Sequence, residues 1–104
     1  MIKRNTGFIY LINQEDTNIY KIGISKNEPS LRLKNLQTGN DKKLILEFYL
    51  KSNCYTTVES TLHRTFKYNT VHGEWFQFDN KDTIIEEMKK INFRLETLLE
   101  NSTF

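Results

Sequence analysis

Two apolar runs decide how this chain folds: Gly7-Phe8-Ile9-Tyr10-Leu11-Ile12, and Ile19-Tyr20-Lys21-Ile22-Gly23-Ile24-Ser25. Between them stand Gln14-Glu15-Asp16-Thr17-Asn18, residues that favour turns over strands. Aromatic and β-branched residues crowd both runs, so each reads as a strand, Phe8–Ile12 and Ile19–Ser25, and the pair as an antiparallel hairpin. Side chains alternate along a strand, which puts Phe8, Tyr10 and Ile12 on one face of the first and Lys21 and Gly23 on one face of the second.

Working outward, Pro29 suits the first turn of a helix and Gly39 suits the position just past its end, with Leu33 and Leu36 facing inward beside Arg32. Leu44–Leu50 alternates as a third strand. Ser52 or Asn53 then caps a second helix through roughly Lys67, with Val58, Leu62 and Phe66 as its apolar stripe. Gly73-Glu74-Trp75-Phe76-Gln77-Phe78 reads as a fourth strand or an edge. Asp79 or Asn80 caps a long helix to about Glu100, striped by Ile84, Met88, Ile91, Leu95 and Leu98. The predicted order is β-β-α-β-α-(β)-α: an α+β fold with a small antiparallel three-stranded sheet flanked by helices, in one domain over 1–104 with a core at about 7–78.

Composition narrows the function classes. The chain is ordinarily apolar and ordinarily charged, which argues against disorder. A net charge of +2 is too mild to imply a nucleic-acid partner by itself. Placement says more, because nine of the 15 Lys and Arg residues (Lys3, Arg4, Lys21, Lys26, Arg32, Lys34, Lys42, Lys43 and Lys51) precede Ser52. Cys54 is the sole cysteine, which rules out an internal disulfide and suits an intracellular setting. The longest apolar run is far too short for a membrane span, so no membrane partner is expected.

Tyr10, Lys21 and Arg32 would bring a phenol, an amine and a guanidinium together, a set suited to a phosphate. A phenol is a poor base at neutral pH unless its anion is stabilised, and Lys21 on the neighbouring strand is the group read as doing so. Glu59 and His63 are four apart and so share one helical face. A carboxylate beside an imidazole reads either as a metal ligand with its neighbour or as a plain surface hydrogen bond. Trp75 reads as a packing anchor, and Glu74 or Asn80 as the border of a cleft. The last helix serves the core or, by its three-and-four spacing, a second copy of the chain.

Phe8-Ile9-Tyr10, Tyr20-Lys21-Ile22-Gly23, Arg32, Glu59, His63 and Gly73-Glu74-Trp75-Phe76 together resemble the GIY-YIG nuclease superfamily, and most of all its small phage- and virus-encoded domains. The match covers roughly residues 7–78 in the right order. The resemblance implies a divalent-metal-dependent endonuclease that hydrolyses DNA phosphodiester bonds. By position, Tyr10 would activate water, Arg32 would stabilise the scissile phosphate and Glu59 would hold a single Mg²⁺ or Mn²⁺ ion. Lys21 stands where many members carry tyrosine; Tyr20 lies one residue earlier, and a one-residue slip turns a strand side chain to the other face. His63 joins the catalytic candidates on motif alone. Lys26, Lys34 and Asn80 are the nucleic-acid-binding candidates, with DNA as the partner and RNA as its alternative. A catalytically silent nucleic-acid-binding module and a helix-mediated interaction domain are the competing readings. The compartment expected is cytoplasmic, or nuclear or a viral factory for a eukaryotic virus.

Overall fold

The computed structural model describes residues 1–101. In chain order the elements are β1 (Gly7–Gln14), β2 (Ile19–Ser25), α1 (Pro29–Thr38), β3 (Leu44–Ser52), α2 (Tyr55–Thr65), a short 3₁₀ turn (Lys67–Asn69), β4 (Thr70–His72), β5 (Trp75–Gln77) and α3 (Lys81–Asn101). The strands form one antiparallel sheet in the order β3-β1-β2-β5-β4. The α+β class therefore holds, but the three central strands are extended by a second hairpin to five. Gly73, at φ +54°, makes the tight β4–β5 turn, a conformation that glycine adopts without steric cost.

The β1–β2 register pairs Tyr10 with Gly23 and Ile12 with Lys21, so the alternation read from the sequence is realised. One sheet face carries Ile9, Leu11, Tyr20, Ile22 and Phe76, buried against Val58 and Leu62 of α2 and Ile84, Met88, Ile91 and Leu95 of α3. The other carries Tyr10, Ile12 and Leu44, packed by Leu33 and Leu36 of α1, by Leu46 and by Trp75. The first cluster is the larger and supplies most of the apolar burial that stabilises the fold.

Local details depart from expectation in two places. Helix α2 begins after Cys54, not after Ser52 or Asn53, and carries no side-chain cap; Ser52 instead accepts a hydrogen bond from the Cys54 amide through its hydroxyl. On α3, Leu99 is buried at 6% exposure while Leu98 is 51% exposed. The buried stripe packs into the chain's own core, so it is not a free face for pairing with a second copy. Asn80 does cap α3, its side-chain oxygen accepting from the Asp82 amide at 2.9 Å. No helix among the described residues is long and apolar enough to cross a membrane.

Candidate active site

Tyr10 lies in the middle of β1 with its ring over the α1 side of the sheet, and it is only 1% exposed. Its cross-strand partner is what makes room for it. A Cβ placed on Gly23 would stand 2.3 Å from the Tyr10 hydroxyl oxygen, so the phenol runs directly over a residue with no side chain. Burial pushes the phenol pKa up; the nearby Arg32 guanidinium pulls it part of the way back, while Glu74 and Glu59 push it up again. The cation at the phenol is thus Arg32 of α1. Lys21, read from the sequence as the group that would stabilise the phenolate, is engaged elsewhere.

Lys21 is buried on the same face. Its ammonium reaches Glu74 Oε1 at 3.1 Å and lies 5.6 Å from the centre of the Trp75 ring. Register explains the arrangement: Lys21 pairs with Trp75 across β2 and β5, and Glu74 is the turn residue just before it. A lysine on a largely buried sheet face needs such a partner, since an unpaired buried charge is strongly disfavoured.

Glu59 approaches from α2. Burial is the first cause of its raised carboxyl pKa; the negative charge of Glu74 adds to it, and His63 and Lys21 offset part. Two carboxylates, one ammonium, one guanidinium and one phenol therefore share a single electrostatic neighbourhood. The β2–β5 ladder ends at the Lys21–Trp75 pair. The Ile22 amide still finds the Glu74 carbonyl, whereas the Ile22 carbonyl is taken by His63 Nε2 at 2.9 Å. A carbonyl can only accept, so Nε2 carries the proton and only Nδ1 remains available for chemistry. The same nitrogen lies 3.9 Å from Glu59 Oε2, and the ring stands edge-on to Phe76 at 5.0 Å.

The structure thus brings together Tyr10, Lys21, Arg32, Glu59 and His63, and adds Glu74 as a member of the site. Its signal in the sequence was the Gly73-Glu74-Trp75-Phe76 stretch, once that stretch is read as a turn beside Lys21 and not as a cleft border. Lys26 is exposed just beyond β2. Lys34 is exposed two residues after Arg32, a spacing that points it away from the Arg32 side of α1. Asn80 is occupied as the α3 cap, next to a Lys81–Glu47 pair at 2.7 Å.

Among the described residues, no group of three or more His, Cys, Asp and Glu side chains is arranged to hold a metal ion. Glu59 with Glu74 as its neighbour is a sparse set of hard oxygen donors. That set fits an ion which keeps most of its own water, as Mg²⁺ does, and not one that needs a full protein cage.

No curated protein and no solved structure matches the chain. A family model, that of the T5orf172 domain, matches residues 7–92, a span running from the first strand well into the last helix and containing every member of the cluster. By that match the chain belongs to the T5orf172 domain family, a phage-associated family related to nucleases.

Proposed function

We propose that the protein is a GIY-YIG-type endonuclease that hydrolyses DNA phosphodiester bonds with the help of a divalent cation. The observation that carries this reading is the Tyr10 phenol lying over Gly23, with the charges of Arg32, Glu74 and Glu59 acting on it and Lys21 paired to Glu74. The relation of the family to nucleases supports the same class of chemistry.

Phosphodiester hydrolysis adds one water across a P–O bond and leaves a phosphate monoester and a free hydroxyl. Arg32 offers a planar fork to two phosphate oxygens and so orients the phosphorus toward Tyr10. Tyr10, protonated at rest because burial opposes its ionisation, holds the attacking water through its phenol oxygen. As negative charge builds on the phosphate, Arg32 and the nearby Lys21 offset it. The positive charge of Arg32 favours loss of the phenol proton, whereas Glu59, Glu74 and the bound phosphate oppose it, so the phenol oxygen takes the water's proton only as its own proton passes to a phosphate oxygen that leaves with the product. Glu59, with Glu74 beside it, would hold the cation, which when bound supplies Lewis-acid stabilisation of the leaving oxygen.

The test is nicking of supercoiled plasmid by the purified protein with and without Mg²⁺ or Mn²⁺, beside Glu59→Gln. Metal-dependent nicking that disappears in the variant is the expected result. Equal nicking by both proteins would remove Glu59 from the reaction. Salt-sensitive retention of DNA without any cutting would replace this reading with that of a binding module.

A further inference from the structure

The α1 side of the sheet is only partly covered. Leu33 and Leu36 pack against the cluster of Tyr10, Ile12 and Leu44, but Phe8 and Tyr49 belong to neither core cluster. Two rows of side chains cross that end of the sheet. In the first, Tyr49 of β3 pairs with Tyr10, which pairs with Gly23; in the second, Lys51 pairs with Phe8, which pairs with Ser25. Residues directly opposite on adjacent strands have Cβ atoms about 5 Å apart, so Tyr49 flanks the ring of Tyr10 on the side away from Gly23. Tyr49 is 41% exposed, and its ring meets Phe8 edge-on at 5.9 Å. Neither row contains a carboxylate, while Lys51 and, beyond Ser25, Lys26 stand exposed at its margins.

We infer that Phe8 and Tyr49 form a stacking platform for the bases of an unpaired DNA strand, next to the phosphate held at Tyr10 and Arg32. The inference rests on the nuclease reading above and specifies its substrate: DNA whose bases are splayed out near the cut, as at a gap, flap or single-stranded end. Three observations support that occupant. Two aromatic rings set edge-on at the sheet surface, Tyr49 the more exposed, offer a ring face on which an unpaired base can stack, whereas a duplex keeps its bases stacked among themselves. The exposed Lys51 ends one row and Lys26 follows Ser25 at its other end, and neither row carries a carboxylate, which suits a polyanion. The platform is also continuous with the candidate site through the Tyr49–Tyr10 pairing, so one strand can touch both.

Binding of labelled oligothymidine, of the same strand paired with oligoadenine, and of oligouridine is compared in EDTA for wild type, Tyr49→Ala, Tyr49→Leu and Tyr49→Phe. Tyr49→Leu keeps apolar contact with Phe8 but offers no ring, and so stands in if Tyr49→Ala is poorly folded. The expected result is about a tenfold loss of oligothymidine affinity for the alanine and leucine variants, with Tyr49→Phe near wild type and duplex binding changed less than about twofold. Unchanged oligothymidine binding by Tyr49→Leu, or parallel losses on single strand and duplex, overturns the platform. Tighter binding of oligouridine than of oligothymidine overturns its assignment to DNA. Because binding is read without metal, it judges the platform alone, whereas Mg²⁺-dependent cleavage judges the nuclease reading.

Discussion

Tyr10 and Gly23 face each other across β1 and β2, and the phenol of the first occupies the space a side chain on the second would need. A glycine at this point is therefore a requirement of the site, not of the strand, which would be stiffer with a β-branched residue. Replacing it moves the tyrosine or bends the sheet.

Gly23→Ala is expected to cost about 1–3 kcal/mol through overpacking, read as a lower urea midpoint with an unchanged slope. Cleavage should fall much further than stability does. A variant that cuts like wild type would show that Tyr10 can leave its position without consequence.

Tyr10→Phe deletes only the hydroxyl and leaves the ring to pack. Thermal stability should change by less than about 1 kcal/mol, because the lost hydrogen bond is offset by easier burial. Cleavage should drop by about 10²-fold or more, the range for loss of a proton-transfer group. Normal cleavage with early melting would make Tyr10 a packing residue.

Glu59 links function to pH. Its carboxyl is raised by burial first and by Glu74 second, so between the unfolded and folded pKa values the folded chain keeps a proton that the unfolded chain has released. The sign follows: its favourable contribution is complete below the ordinary glutamate pKa and is lost as pH rises through the folded value. Metal-free Glu59→Gln should accordingly be more stable than wild type at neutral pH, and its melting temperature should fall less over that window. Each 1 kcal/mol of relief corresponds to roughly 4–8 °C in a domain of this size. Added Mg²⁺ should raise the melting temperature of wild type and leave Glu59→Gln unchanged. Equal responses of the two proteins would place the cation elsewhere.

Glu74→Gln keeps the size of the side chain but removes the charge that Lys21 contacts at 3.1 Å. Glu74 is half exposed but the Lys21 side chain is only 10% exposed, so loss of the charge that offsets it should cost more than at a surface pair, about 1–3 kcal/mol. Cleavage should respond more, because Lys21 loses the group that aims it. Comparable losses in Glu74→Gln and Lys21→Met, without further loss in the double variant, would mark one working unit. Additive losses would separate them.

His63→Phe tests the carbonyl left by the departing strand. It removes the side-chain hydrogen bond given to the Ile22 carbonyl, and an unsatisfied buried acceptor costs about 1–3 kcal/mol. If His63 serves by holding α2 against β2, cleavage loss should follow the loss of folded protein. A fully folded but inactive variant would instead give Nδ1 a part in the chemistry.

Sequence and tertiary structure contribute different parts of this site. Alternation along two short strands was enough to put Tyr10, Lys21 and Gly23 on one face, because a strand has a side-chain period of two and the turn at 14–18 sets the register. The existence and order of the three helices and the α+β class were equally legible from Pro29, Gly39, Asn80 and the apolar stripes. The partner of each charged group was not. Lys21 meets Glu74 across 53 residues and His63 meets the Ile22 carbonyl across 41, contacts made by the β2–β5 register and by the point at which β5 departs. The Arg32–Tyr10 contact depends on where α1 lies on the sheet, which leucine spacing does not specify. Leu98 and Leu99 make the same point: both continue a stripe of period 3.6, and only the position of the core selects the second. Local periodicity determines which side chains share a face. Which faces meet is decided by long-range packing, whose energies belong to no single segment.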